Sequence, residues 1–101
     1  MNRNLTVDKA GIAGFCQRHC IRWLAIFGSA LRDDFGPDSD IDVLVDFVPG
    51  HVPGFFRLVE MEEELSIIFG GRKVDLRTPE DLSRYFRDKV VAEAQVQYVR
   101  R

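Results

Sequence analysis

The chain has 101 residues, of which 46% are hydrophobic and 30% charged, and its net charge is −2. This length and balance predict one soluble globular domain over residues 1–101, with a core of modest size. No apolar run reaches the roughly 20 residues that span a bilayer and no signal-peptide pattern opens the chain, so we expect a cytoplasmic protein without membrane contact.

The first half of the chain predicts one helix and two strands. Residues 6–19 carry apolar side chains at helical spacing, and residues 20–28, CIRWLAIFG, favour a mostly buried strand that ends at Gly28. A short helix is predicted over residues 30–34, before a turn at FGPDS. Residues 40–47, DIDVLVDF, then alternate as a strand with Asp40, Asp42, Leu44 and Asp46 on one side.

The second half predicts a helix, a third strand and a last helix. The helix over residues 55–69 stops at Gly70-Gly71, and RKVDLRT forms the strand. Thr78 is the predicted N-cap of the last helix, which continues past Ala94. Four aromatic side chains at helical spacing are predicted to be core residues, with one or two of them in a partner interface: Phe55, Phe56, Phe69 and Phe86. The order α-β-α-β-α-β-α indicates an α+β fold, a small mixed β-sheet flanked by helices.

Asp40 and Asp42 are the first candidates for a functional site. Two residues apart on a strand, they point to the same face, where two carboxylates can bracket divalent cations such as Mg²⁺. The pair alone carries little information, because about one Asp-x-Asp is expected by chance in a chain with ten Asp residues. Residues 33–64 do hold ten acidic residues and one basic residue, which suits a cation-filled centre.

The Gly28-Ser29 pair makes the aspartate pair more informative. A glycine at the end of a strand lets the backbone approach a ligand closely, and Ser29 adds a hydroxyl. The short helix that follows offers free N–H groups to an anion. A turn that merely ends a strand is the alternative. The combination with Asp-x-Asp predicts a phosphate-binding turn beside a metal site.

Asp75 is the candidate for a third carboxylate. It lies between Val74 and Leu76 in KVDLR, so its side chain points to the opposite side of the strand from theirs. An aspartate in the middle of a short strand either faces solvent at an edge or faces a cation. A site that needs a third ligand favours the second interpretation.

These segments resemble a known family. GSALRDDFGPDSDIDVLV is similar to the Gly-Ser-x10-Asp-x-Asp signature of the DNA polymerase β-like nucleotidyltransferase superfamily. With KVDLRTPEDL behind it, the short chain resembles the minimal nucleotidyltransferases, the MntA-like antitoxins that are paired with HEPN-domain toxins. The resemblance covers roughly residues 20–98 and implies the nucleotidyltransferase fold, which is the polymerase β-like palm.

The resemblance also implies roles for individual residues. Nucleotide-binding positions would be Gly28, Ser29, Arg32 and Ser39. Asp40, Asp42 and Asp75 would be both the catalytic residues and the ligands of two Mg²⁺ ions, with ATP as the substrate. The family commonly has Gly-Ser-Arg-Ala-Arg-Gly at the turn, whereas this chain has Ala30 and Asp33 in place of the first arginine and the last glycine.

The implied activity is that of a protein adenylyltransferase of the EC 2.7.7 class. It would move a nucleoside monophosphate, AMP from ATP, onto a hydroxyl of a cognate HEPN toxin, with a tyrosine as the expected acceptor, and so act as an antitoxin. Two alternatives remain open at this point. The chain could neutralise its partner by steric binding without catalysis, or it could modify a small-molecule hydroxyl. Stable binding to nucleic acid is not expected, because the net charge is acidic.

Overall fold

In a computed structural model, the chain is described over residues 7–28, 36 and 39–100. The helices in these ranges are α1 (Lys9–Arg18), α2 (Phe55–Ile68) and α3 (Arg84–Glu93). The strands are β1 (Ile21–Phe27), β2 (Ile41–Phe47), β3 (Val74–Arg77) and β4 (Gln95–Val99), and a 3-10 turn, Pro79–Asp81, precedes α3. None of these helices combines the length and the apolar character needed to cross a bilayer.

The four strands form one mixed sheet in the order β3-β2-β1-β4. β1 is antiparallel to both β2 and β4, whereas β2 and β3 are parallel, as expected when α2 provides the crossover between them. The predicted α+β class, with a small mixed sheet flanked by helices, is therefore confirmed.

One side of the sheet, here called the packed face, holds most of the core. It is the side of β2 that carries Ile41, Val43, Val45 and Phe47, all of which are buried. α1 and α2 supply the facing side chains, among them Ile12, Phe15, Met61 and Leu65. Alternate side chains of the strand thus pack against one apolar stripe on each of two helices, which forms a two-layer core.

The opposite side, here called the open face, has a much smaller apolar area. Ala25 and Leu44 are cross-strand partners on this side and both are buried. The neighbouring positions on β2 are the acidic Asp42 and Asp46. α3 has no buried residue, so this helix lies beside the open face without forming a second tightly packed core.

The last third of the chain differs from the prediction. Thr78 begins only the 3-10 turn, where the Asp81 carboxylate accepts a hydrogen bond from the Thr78 N–H at 3.0 Å. The backbone is extended at Leu82, and Ser83 is the N-cap of α3. The helix ends at Glu93 and the chain continues as β4, because QVQYV alternates and pairs with the free edge of β1. The predicted helix over residues 30–34 lies outside the described residues.

The prediction that at least two of the four phenylalanines are core residues was wrong, because one of them is buried. Phe69 is buried, but Phe55, Phe56 and Phe86 are 73%, 83% and 58% exposed. On α2 the buried positions are Met61 and Leu65. Phe55 and Phe56 lie in the first turn of α2, away from the packed face. Helical spacing indicates which side chains share a stripe, but it does not show whether another element covers that stripe.

Candidate functional site

Three side chains lie in one lateral row across the open face. Asp42 of β2 is paired with Phe27 of β1 on one side and with Asp75 of β3 on the other. Paired residues on adjacent strands point to the same face, and adjacent strands are about 4.8 Å apart. The register therefore places Asp42 between an aromatic residue and a second acidic residue at one end of the sheet.

Gly28 follows Phe27 directly and contacts the same carboxylate. Its φ is +71°, a backbone conformation that residues with a β-carbon rarely adopt. A β-carbon added at this position would also overlap the Asp42 carboxylate oxygen Oδ2. Glycine is thus required here for two separate reasons, and its absent side chain provides the space in which the Asp42 carboxylate lies.

Asp40 lies immediately before β2, at the end of a tight turn. In that turn the Gly36 N–H donates to Ser39 Oγ at 3.1 Å and the Ser39 N–H donates to the Gly36 carbonyl at 3.1 Å. Arg72, two residues before β3, donates to the Gly36 carbonyl oxygen, so the segment that leads into β3 also fixes the turn that presents Asp40. The Asp40 side chain is 47% exposed, and its Oδ2 is 3.9 Å from Lys73 Nζ.

Asp75 is bound by a neighbour on its own strand. Arg77 lies two residues further along β3, on the same face, and its Nε is 3.2 Å from Asp75 Oδ1 while its Nη2 donates to Oδ2 at 3.2 Å. This forked contact is the main cause of the raised pKa of Arg77. Within residues 7–28, 36 and 39–100, no three Asp, Glu, His or Cys side chains are gathered closely enough to hold a metal ion.

The donor set nevertheless suits a hard divalent cation. Mg²⁺ takes a small number of carboxylate oxygens together with phosphate oxygens and water. Asp40 and Asp42 are two residues apart, Asp75 is the lateral neighbour of Asp42, and Gly28 has no β-carbon that would overlap the Asp42 carboxylate. A cation held by all three carboxylates would require the Asp75 side chain to turn away from Arg77.

A cavity of about 670 Å³ adjoins this row. Phe27 and Gly28 form part of its wall, and α3 contributes Phe86, Lys89 and Glu93. Ligand pockets usually have volumes of about 300–1,000 Å³, so this space is sufficient for a nucleotide. The cavity begins where the acidic row ends, because Phe27 belongs to both.

The structure describes five of the predicted site residues, and all five lie at or near one end of the sheet. Gly28, Asp42 and Asp75 meet at one end of the sheet, with Asp40 just before β2 and the Ser39 hydroxyl engaged within its own turn. Ser29 and Arg32 lie outside the described residues. The roles assigned to all these residues remain predictions.

The sequence did not predict that α3 lines the cavity beside Gly28. Helical spacing predicts Phe86 as a core residue and gives Lys89 no role, yet both line the cavity. No local pattern marks either residue, because their place beside Gly28 depends on how α3 folds back over the open face. The alternation in KVDLRT, by contrast, does place Asp75 and Arg77 on one face, and it could have revealed their contact.

Sequence similarity to known proteins covers most of the chain. The nucleotidyltransferase domain family matches residues 12–97. The protein adenylyltransferase MntA of Thermococcus cleftensis is 40% identical over 60 residues, which cover 59% of this chain and 58% of that relative. A candidate protein adenylyltransferase of Methanocaldococcus jannaschii is 31% identical over 91 residues, which cover 90% of this chain and 95% of the relative.

Solved structures of nucleotidyltransferase proteins have the same fold as this chain. A candidate minimal nucleotidyltransferase aligns with a TM-score of 0.68 and 29% identity, over 85% of each chain. A toxin–antitoxin crystal structure with AMP-PNP aligns with a TM-score of 0.72 over 92% of this chain and 74% of that one, and at 18% identity it shows a shared fold alone. With the family match over residues 12–97, these similarities show that the chain belongs to the nucleotidyltransferase domain family.

Proposed function

We propose that the protein is a Mg²⁺-dependent adenylyltransferase that moves AMP from ATP onto a hydroxyl of a cognate HEPN-domain toxin and thereby acts as its antitoxin. A tyrosine is the expected acceptor. The observation that carries this proposal is the lateral pairing of Asp42 with Asp75 beside Gly28. The curated relatives named as protein adenylyltransferases, and the toxin–antitoxin structures of the same fold, support the direction of the proposal.

In the proposed reaction, the acceptor oxygen bonds to the α-phosphorus of ATP. The bond between that phosphorus and the oxygen bridging to the β-phosphate breaks, and pyrophosphate leaves. Two bound Mg²⁺ ions would supply charge neutralisation for the attacking and leaving oxygens. Asp40, Asp42 and Asp75 would hold these ions, and Gly28 with Ser29 would receive the phosphates.

Asp75 has a second role in this proposal, because it is the carboxylate assigned to the acceptor side. Its oxygens would accept the proton from the attacking hydroxyl. Arg77 holds both of these oxygens in the described conformation, so the guanidinium must give them up when the substrates assemble. Arg77 would then carry a free positive charge close to the reacting phosphates.

Transfer of a labelled nucleotide tests the proposal directly. The protein would be incubated with ATP labelled on its α-phosphate, Mg²⁺ and the HEPN protein encoded beside it, and the label on that partner would be measured. We expect labelling by the wild-type chain and a loss of at least about 100-fold with Asp42→Asn, because the substitution removes a negatively charged metal ligand.

Asp46→Asn is the matched control for this experiment. Asp46 lies on the same strand and the same face as Asp42, but its carboxylate is bonded to Arg22, with Oδ2 2.6 Å from Arg22 Nη2. This variant changes the charge by the same amount and should keep transfer close to the wild-type rate. Equal labelling by wild type and Asp42→Asn, or no labelling by either, would rule the proposed transfer out.

One observation favours a second candidate, which is an antitoxin that blocks its partner sterically. The third carboxylate is held by Arg77, and no complete metal cluster is gathered among the described residues. A toxin-neutralisation assay with Asp40→Ala separates the two candidates. A steric blocker keeps its potency when Asp40 is replaced, whereas a transferase loses it.

A further inference from the structure

The cavity beside Gly28 has features that the acidic row does not explain. Its volume is about 670 Å³, and Asp40, Asp42 and Asp75 are not among its described lining residues. Its inner wall is the end of β1, with Phe27, and its outer wall is one stripe of α3. Phe86, Lys89, Val90 and Glu93 form that stripe, at the spacing i, i+3, i+4 and i+7.

The two walls present aromatic rings to the same space. Phe27 belongs to the sheet and Phe86 to the helix, and Phe86 is 58% exposed although it faces the cavity. An aromatic side chain left this exposed loses the free energy that burial would provide. A flat heteroaromatic ring that enters the cavity would cover it.

The charges on the α3 stripe differ along its length. Among the described residues, no ion pair engages Lys89, so its ammonium group is available to an anion. Glu93 lies one turn further along the stripe and carries the opposite charge. Phosphates therefore fit against Lys89 and not against Glu93.

We propose that this cavity is the nucleoside subsite of the site proposed above, with the base between Phe27 and Phe86 and with Lys89 against the phosphates. The inference rests on the proposed function, because it assumes that a nucleoside triphosphate is the ligand. It assigns α3 a binding role, although nothing in its sequence identifies it as part of a nucleotide site. It also accounts for a helix that has no buried residue and still presents an apolar side chain inward.

Binding of the non-hydrolysable analogue AMP-PNP with Mg²⁺, measured by calorimetry, tests the base contact. Phe86→Ala should weaken AMP-PNP binding by about 5- to 100-fold, the range that loss of one base–aromatic stack produces. The same variant should bind inorganic tripolyphosphate as tightly as the wild type, because that ligand has no base. Phe86→Tyr should restore most of the affinity for AMP-PNP.

Tyr85→Ala is the matched control, since Tyr85 is the adjacent aromatic residue on α3 and is 90% exposed without lining the cavity. It should leave the binding of both ligands unchanged. Thermal unfolding of all three variants checks that α3 is intact.

Lys89→Met should not discriminate between the two ligands. It should weaken the binding of both AMP-PNP and tripolyphosphate by about 10-fold or more, since each loses a charge-assisted contact. Arg84→Gln, which removes a positive charge from α3 outside the cavity, is its control.

The results separate the inference from the proposed function. If the wild type binds AMP-PNP and Phe86→Ala binds it equally well, the nucleoside subsite is wrong and the transferase proposal is unaffected. If Phe86→Ala weakens tripolyphosphate binding as much as AMP-PNP binding, the residue does not contact a base and the inference is also overturned. A wild-type chain that binds no nucleotide would overturn both proposals.

Discussion

The two faces of the same four-stranded sheet are used differently. On the packed face, side chains from β1, β2, α1 and α2 form a continuous buried cluster. On the open face, the buried apolar residues of β1 and β2 are Ala25 and Leu44, and acidic and aromatic side chains occupy positions beside them. The comparison suggests that stability comes mainly from one face, which leaves the other free to keep carboxylates close together.

Close carboxylates would weaken a small domain if they had to lie in its core. An unpaired carboxylate is strongly disfavoured in an apolar interior, and two adjacent carboxylates also repel each other. On the open face, Asp40 and Asp75 keep contact with solvent and have basic neighbours, Lys73 and Arg77. The site can therefore exist without a large cost in folding free energy.

The largest effect on stability is expected on the packed face. Leu65 is fully buried between α2 and the sheet. Leu65→Ala should lower the free energy of unfolding by about 3–4 kcal/mol, because it removes buried apolar surface and leaves a cavity. Phe86→Ala on the open face should change it by less than about 1 kcal/mol. Urea unfolding curves of both variants measure the contrast, and equal losses would contradict the division between the faces.

A substitution at Gly28 is expected to reduce stability less than Leu65→Ala does, but to abolish AMP-PNP binding. Gly28→Ala should cost about 1–2 kcal/mol through its positive φ and should also displace the Asp42 carboxylate. Gly50→Ala is the matched control, because Gly50 has a φ of +84° and no atom lies within 4 Å of the added β-carbon. Gly28→Ala should lose at least as much stability as Gly50→Ala in urea unfolding, while only Gly28→Ala loses AMP-PNP binding. Unchanged binding by Gly28→Ala would show that this contact is unimportant.

The smallest effect on the free energy of unfolding is expected at the end of the sheet away from Asp42. Glu64 is bonded there to Arg18, and its Oε2 is 2.8 Å from His19 Nε2. Burial alone would raise its pKa, but the hydrogen bonds and positive charges of His19 and Arg18 outweigh burial and lower it. A lowered pKa stabilises the fold above the unfolded value of about 4.3, and this contribution is lost as the pH falls through the folded value.

Glu64→Gln should therefore be less stable than the wild type at pH 7, by up to about 1 kcal/mol for a half-exposed pair. The difference should narrow below about pH 4. Urea midpoints at pH 7 and pH 3 measure it, and AMP-PNP binding at pH 7 should not change. A stability difference that stays constant between these two pH values would contradict the assigned cause.

Local patterns predicted the packed face well and the C-terminal part poorly. The alternation of residues 40–47 and the helical spacing of residues 55–69 each identify a buried side, and two such sides can cover each other. α3 also has apolar residues at helical spacing, but the distance between a helix and the sheet is set by the whole chain and not by that spacing. QVQYV was readable as a strand by its alternation, and β1 supplied the partner that made it one.

Local sequence patterns likewise predict one part of the candidate site and not the other. Spacing along a single strand predicts that Asp40 and Asp42 share a face, and a glycine at a strand end predicts a close contact. The pairing of Asp42 with Asp75 needs the parallel register of β2 and β3, which no local pattern contains. Lys89 and Phe86 reach the site only through the reversal of the chain after β3, so their place beside Gly28 required the structure.

The central claim is that Asp42 and Asp75 act together on a magnesium nucleotide at the open face. The shift in unfolding temperature caused by Mg²⁺ and AMP-PNP tests it without any partner protein. At about 100 times the dissociation constant, a ligand adds about 2.7 kcal/mol to the free energy of unfolding, which raises Tm by about 10–20 °C in a domain of this size. The wild type and Asp46→Asn should show that rise, whereas Asp42→Asn and Asp75→Asn should show almost none. A full rise in either of the last two variants would contradict the account.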